Sequence, residues 1–272
     1  MEEVRSSFGG VGNIHKHGKD SIQYRVESIK ELQVIVDHFD KYPLISAKVV
    51  DYLLFKKCFN LIKLQEHLTE EGLLKLIGIK ASLNLGLPLN LKEAFPKVEQ
   101  YNRPAYTFKG IADPNWIAGF SSGDSSFSVK TGSSTTNKLG SRVQLRFEIG
   151  LNIREKELIK DLATFFKSGY SSAKVPEVKE VNDKYVYITN DSVHLQVIKF
   201  EDILNIVIPF FWRVPDTRKK CLDLADFKKA AELIKNKVGP YAKAQKRLGR
   251  VRLRPTKNCA PTNRRIYENA GG

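Results

Sequence analysis

The chain has 272 residues, 42% of them hydrophobic, enough to bury one large core or two modest ones and unlike a collagen or a disordered tail. Its 45 Lys+Arg against 30 Asp+Glu give +15, a field that concentrates polyanions and puts nucleic acid ahead of the reading as an ordinary soluble basic protein. No run of 18 apolar residues exists, so no membrane partner is expected, and Cys58, Cys221 and Cys259 have neither zinc spacing nor the density of a disulfide framework.

The opening MEEVRSS has neither a secretory h-region nor an acid-free, Arg-rich transit composition, so an organellar protein of this kind would be made in place or lack its targeting segment. MEEVRSSF reads as the end of a helix and HKHGKDS (15–21) as a hairpin tip, with helices following near 28–41, 46–64 and 70–84. Residues 95–114 contain Pro96, Pro104 and Pro114 without a clear period and suit a linker. A helix then leads into a strand bearing Phe127 and Val129. Its hairpin partner alternates Val143, Leu145, Phe147, Ile149 and Leu151 inward with Arg142, Gln144, Arg146 and Glu148 outward. A helix from about Glu155 to Phe166, Gly169, strands around 171–197 and helices near 199–211 and 221–236 complete the order. Beyond Pro240 the pattern changes: residues 241–265 carry nine Lys or Arg and no acid.

Displaced by 172 positions, Phe39–Ile62 lies over Phe211–Ile234 without a gap. Nine identities result, including Phe39 with Phe211, Pro43 with Pro215, Lys48 with Lys220, Asp51 with Asp223 and Phe55 with Phe227. Upstream, YRVESIKEL (24–32) lies over LQVIKFEDI (195–203) with a one-residue slip. The predicted fold is therefore α+β, two pseudo-symmetric α-β-β-α-β-β-α-α repeats, the first lacking its opening helix and hairpin. The predicted boundaries are 1–94 for the shortened first repeat, 95–114 for the linker, 115–236 for the complete second repeat and 237–272 for a basic tail.

The segment WIAGFSSGDSSFSV (116–129) pairs Ala118 with Ser122 and Gly119 with Gly123 at i,i+4, a nearly bare stripe that lets another backbone approach closely. Asp124 closes that helix immediately before a strand. By itself it reads as an ordinary acid in a solvated turn; in this setting it can hold a divalent cation against a phosphate. The segment resembles the motif of the LAGLIDADG homing endonucleases. Residues 9–48 and 66–87 are similar to the first half of the family's single-chain members, of the organellar, group I intron-encoded type.

The resemblance implies a metal-dependent DNA endonuclease, a hydrolase making double-strand cuts at a long intron-insertion site with Mg²⁺. It implies a monomer on double-stranded DNA, in the mitochondrion rather than the chloroplast. It makes Asp124 the catalytic metal ligand, Ala118, Gly119, Ser122 and Gly123 the helix interface, and Ser126, Ser128, Lys130, Arg142, Gln144 and Arg146 DNA contacts on a sheet facing the major groove. Gln144 also matches a position that orients the attacking water, or is a plain base or phosphate contact. The other class of function left open is a non-catalytic nucleic-acid binder such as a maturase for group I intron RNA.

Departures from the family pattern bear on activity. The opening segment of the first repeat would carry a second acid, so this chain is expected to be impaired in catalysis. Ser125 replaces the usual Gly after the acid, and Ser172 stands where a basic residue is expected, leaving Lys174 as the nearest substitute. The basic tail replaces the family's final helix and reads as a phosphate-gripping extension or as the product of a frameshift or misplaced exon boundary. Other motifs are weaker: GGVG (9–12) precedes a hairpin rather than a long helix, and His15 and His17 share one side of a strand without a third ligand. Trp116 and Trp212 read as core or interface residues.

Overall fold

A computed structural model describes residues 1–111, 113–133, 135, 141–167, 184–214 and 219–236. The chain divides into two units, Met1–Lys109 and one beginning at Gly110.

In the first unit, a short helix α1 (Glu2–Ser7) leads to an antiparallel hairpin, β1 (Asn13–His17) and β2 (Ser21–Arg25), paired Asn13↔Arg25 through His17↔Ser21. Gly12 opens the hairpin at φ +73°, where a Cβ would stand 2.6 Å from the Arg25 carbonyl oxygen, so only glycine fits the close approach. Helix α2 (Ile29–Lys41) starts where Ser28 accepts a hydrogen bond from the Glu31 amide, and α3 (Lys48–Lys63), α4 (Glu70–Ala81) and α5 (Leu89–Ala94) follow. The apolar faces of α3 and α4 meet through Leu54, Leu61 and Ile79, with Cys58, Leu83 and Tyr101 packed around them. Tyr52 pins α3 to α2, donating to the Val36 carbonyl and the Asp40 carboxylate, which also binds Lys56.

The stretch expected to be a linker is anchored for much of its length. The Tyr101 amide donates to the Gly78 carbonyl, Arg103 pairs with Asp51 at 2.8 Å and Tyr106 donates to the Ile45 carbonyl. These contacts carry the first unit to Lys109, beyond the boundary at 94 expected from sequence.

The second unit begins with α6 (Pro114–Asp124) and continues through β3 (Ser125–Ser133), β4 (Ser141–Asn152), α7 (Lys156–Lys167), β5 (Val186–Thr189) and β6 (Ser192–Val197). Helix α8 (Phe200–Asp202) passes through a π-helical turn at Ile203–Val207 into α9 (Ile208–Arg213), and α10 (Lys219–Lys235) follows. The π turn sits just before Pro209, which has no amide hydrogen to offer the preceding turn. The strands form one antiparallel sheet in the order β3-β4-β6-β5. Alternation assigns its faces. Leu145, Phe147, Ile149, Val193, Leu195 and Val197 are buried against α7, α9 and α10, while Arg142, Gln144, Arg146, Glu148, His194 and Gln196 lie on the opposite face. Helix α7 buries Leu158, Ile159, Leu162 and Phe166, worth about 1.5–3 kcal/mol each relative to exposure.

Asp161 on α7 is buried and accepts a hydrogen bond from the Ile111 amide at 3.0 Å, fixing the entry to this unit. Burial pushes its carboxyl above the ordinary aspartate range, and the single amide bond only partly offsets this. A raised folded-state pKa means the native state holds the proton more tightly, so this contribution to stability is present at low pH and lost as pH rises through the folded pKa. Asp161→Asn keeps an acceptor for Ile111 without the charge. It is expected to raise the melting temperature at neutral pH and to leave it unchanged below about pH 3, where aspartate is protonated; no gain at neutral pH would contradict the penalty.

Candidate active site

Helix α6 is capped by Asp113, whose carboxylate accepts from the Asn115 amide at 2.8 Å, and Pro114 occupies its first turn. Its small residues divide between two sides. Ala118 is buried inside the unit with Ser121, Ser125, Phe127, Phe211 and Leu224, so it is not on the open stripe. Gly119 and Gly123 are exposed, and a Cβ on either would meet nothing within 4 Å. Trp116 and Phe120 stack at 4.7 Å beside them, making a flat apolar surface with two bare positions. Ser122, at intermediate exposure, turns its hydroxyl back onto the Ala118 carbonyl.

Asp124 is the last residue of α6 and is exposed. The next residue, Ser125, is buried, donates to the Ser121 carbonyl at 2.6 Å and starts β3. Its carbonyl oxygen accepts from the ammonium of Lys220 at the start of α10. A carboxylate and an ammonium are thus tied to adjacent residues, at the end of a helix whose carbonyl dipoles favour the cation. Sequence reasoning placed Lys220 only as the repeat mate of Lys48; the two differ in partner, since Lys48 pairs with Asp51 at 3.1 Å.

The register of the β3–β4 hairpin decides which strand residues lie near Asp124. Ser125 pairs with Ile149, Ser126 with Glu148, Ser128 with Arg146, Lys130 with Gln144 and Gly132 with Arg142. Gln144 is five residues along β4 from the partner of Ser125, about 17 Å at ~3.4 Å per residue, too far to orient a water at Asp124. Its place is with Lys130, among the candidate DNA contacts. The residue on the outer face next to the helix end is Glu148.

Glu148 sits in a ring of polar groups that the sequence did not point out. Tyr187 on β5 donates to its Oε1 at 2.7 Å, His194 Nδ1 on β6 lies 3.3 Å from the same oxygen, and Arg146 lies 3.5 Å from Oε2. The His194 nitrogen is off the hydrogen-bond line, so that contact is electrostatic and operates when the ring is protonated. Burial pushes the Glu148 carboxyl up, but the Tyr187 hydroxyl, Arg146 and His194 outweigh it and hold the group below the ordinary glutamate range. Burial, and then Glu148 itself, push the Tyr187 phenol up to about 12.

Ser126, Ser128, Lys130, Arg142, Gln144 and Arg146 share this outer face as expected. Lys174 lies outside the described residues. On the first hairpin, Asn13, His15 and His17 alternate with Ile14 and Lys16. Arg25 is held by Gln23 at 3.0 Å and Glu27 at 3.3 Å. Among the described residues no group of three or more His, Cys, Asp or Glu comes together, and no helix is long and apolar enough to cross a membrane.

A helix with a bare stripe, an acid at its end, and a strand leading from that acid into an antiparallel sheet form one unit of a two-repeat chain. Residues 1–59 and 117–231 match the family described as LAGLIDADG endonuclease. The chain belongs to the LAGLIDADG endonuclease family. It is 36% identical over 236 residues to the "Probable intron-encoded endonuclease 3" of Neurospora crassa, covering 86% of this chain and 42% of that protein. The chain thus spans less than half the length of that relative. It superposes on the crystal structure of the LAGLIDADG meganuclease I-CpaMI bound to uncleaved DNA with a TM-score of 0.83 at 50% identity, covering 91% of this chain and 80% of the other. It also superposes on I-SmaMI bound to uncleaved DNA in the presence of calcium ions, with a TM-score of 0.82 at 34% identity, covering 91% and 82%. The α+β architecture is that of the LAGLIDADG meganucleases.

Proposed function

We propose that this chain binds double-stranded DNA along the outer faces of its sheets and carries, around Asp124, a half-site for metal-dependent hydrolysis of a phosphodiester at an intron-insertion site. The observation that carries this reading is the convergence at the end of α6: Asp124 exposed, Lys220 on the next carbonyl, and Glu148 across the hairpin from Ser126. The DNA-bound structures of related meganucleases and the intron-encoded relative support it, and a mitochondrial origin fits the relatives described from an ND4 intron of Podospora anserina and a cox1 intron of Schizosaccharomyces pombe.

The donor set suits Mg²⁺, which keeps several waters and takes one or two carboxylates plus phosphate oxygens rather than a cage of three or four side chains. Asp124 would hold the ion, which supplies charge neutralisation at the phosphate and a more acidic bound water. Glu148, kept ionised by its neighbours, is a weak base and a good acceptor, so it orients the attacking water and the proton passes to solvent. Oxygen bonds to phosphorus as one P–O bond breaks, and the Lys220 ammonium faces the charge that gathers there. Cutting both strands takes two such sites, and the second unit supplies one.

Supercoiled plasmid carrying candidate sites tests this. With Mg²⁺, nicking is expected without linear product, and Asp124→Asn is expected to reduce nicking by about 100-fold or more, the scale of lost electrostatic stabilisation, while duplex binding persists. Linear product from this chain, or full-rate nicking by Asp124→Asn, would place the chemistry elsewhere.

A further inference from the structure

Resting on the reading of Glu148 as the residue that orients water beside Asp124, we propose that Tyr187 and His194 are positioning residues that lock the Glu148 carboxylate in a single conformer, and that Gly150 is there to admit the His194 ring. No part of the cleavage chemistry itself requires these three residues. They stand on three adjacent strands, and two of them, Tyr187 and His194, converge on one oxygen.

Gly150 on β4 pairs with His194 on β6, and a Cβ at Gly150 would come within 2.8 Å of His194 Nδ1 and 3.0 Å of Cε1. Glycine inside a strand weakens it and marks a place where something approaches closely; here the imidazole does. The ring lies over the backbone of β4 and brings Nδ1 within 3.3 Å of Glu148 Oε1. Tyr187 covers the other side of the imidazole in a parallel stack, 4.6 Å between centroids and 5° between planes, and sends its hydroxyl to the same Oε1 at 2.7 Å. Thr189 Oγ1 lies 3.3 Å from His194 Nε2, at the edge of the imidazole away from Glu148, and Gln196 Nε2 lies 3.5 Å from the Tyr187 hydroxyl oxygen, on the same group that meets Oε1.

The result is asymmetric. Oε1 is taken by Tyr187 and His194, whereas among the described residues Oε2 has only Arg146 at 3.5 Å and keeps capacity to accept from another donor. A glutamate free on a strand surface samples several rotamers, and fixing it beforehand removes that entropy from the reacting state. Among the described residues, the groups that meet His194 are Glu148 from β4 and Tyr187 and Thr189 from β5, with Arg146 beyond it on Glu148 and Gln196 on Tyr187.

The test uses the full chain labelled with ¹³C at glutamate carboxyls, the Glu148 signal being assigned by its absence in Glu148→Gln. In the wild type, Glu148 is expected to titrate below the ordinary glutamate range. Tyr187→Phe, His194→Gln and Gly150→Ala, the last crowding the ring out from the opposite side, are each expected to move that titration upward without changing the remaining glutamates. Mn²⁺ added with a DNA duplex is expected to broaden the Glu148 signal in the wild type, to broaden it less in the three variants, and to have no such effect in Asp124→Asn. Tyr187 is partly exposed and its loss to Phe keeps the ring, so this variant separates positioning from folding. An unmoved Glu148 titration in both Tyr187→Phe and His194→Gln overturns the clamp. A normal titration series with no Mn²⁺ broadening in the wild type overturns the metal reading instead, and reduces the clamp to a structural contact.

Discussion

Phe147→Ala is expected to destabilise the second unit by about 3–5 kcal/mol, the usual loss for truncating a fully buried aromatic residue. Phe147 has no exposed surface and sits where β3, α7 and α9 meet its own strand. Its ring lies 5.2 Å from Phe127 on β3, 5.5 Å from Phe166 on α7 and 5.3 Å from Phe211 on α9. The ring therefore ties both strands of the hairpin that follows Asp124 to the helices behind the sheet. A domain of this kind has about 5–15 kcal/mol in total, so one such cavity removes about a fifth of it or more. Urea unfolding followed by tryptophan fluorescence measures it, and Phe147→Leu, which leaves less of a void, should cost less. A loss below about 1 kcal/mol for Phe147→Ala would show that the cluster closes over the cavity and that Phe147 is not its centre.

The core around Phe147 was legible because its signal is local. Alternation along 142–151 assigns each β4 side chain to one face, and the i,i+3/i+4 spacing of Leu158, Ile159, Leu162 and Phe166 assigns the buried side of α7. The motif helix was legible for the same reason, down to its last residue. What periodicity could not supply is register. Glu148 and Gln144 are two turns of the same outward pattern, and only the pairing Ser126↔Glu148 selects between them. That pairing depends on the length of the hairpin's tip, which carries no apolar alternation to count.

Contacts across long stretches of chain were hidden for a related reason. Lys220 reaches a carbonyl 95 residues away, and nothing near either residue announces it. The equality of Lys48 and Lys220 in the internal repeat was the available signal. The stretch read as a linker, 95–114, gave no sign of its anchors because they are single side chains, Arg103 on Asp51 and Tyr106 on the Ile45 carbonyl, and isolated anchors leave no period. Small residues on α6 showed that something packs closely. Since Ala118 and Gly119 point different ways, only the sheet could say which side is covered by the unit itself.

Affinity for duplex DNA is expected to fall about 10³-fold or more between 50 and 200 mM salt, with a log–log slope of roughly −5 to −7, because each neutralised phosphate releases condensed counterions and a face of this length meets about six to eight phosphates. The net charge of +15 favours the encounter, but the slope reports only the cations that reach phosphate. Those cations are not equivalent. Lys130 and Arg142 are exposed on β3 and β4, and no acid of the sheet is bound to them in the contacts described above, so removing either should reduce the slope by about one. Arg146 is shared with Glu148 at 3.5 Å and Arg25 with Glu27 at 3.3 Å, so each already has a counter-charge and should reduce the slope by less. Filter binding of a random-sequence duplex, titrated with salt for the wild type, Lys130→Ala, Arg142→Ala and Arg146→Ala, measures both the slope and its partition. A wild-type slope shallower than about −2 would mean that the sheet face does not lie along the phosphates. A larger loss for Arg146→Ala than for Lys130→Ala would mean that DNA breaks the Arg146–Glu148 pair on binding, releasing the Oε2 side of Glu148 at the moment it is needed.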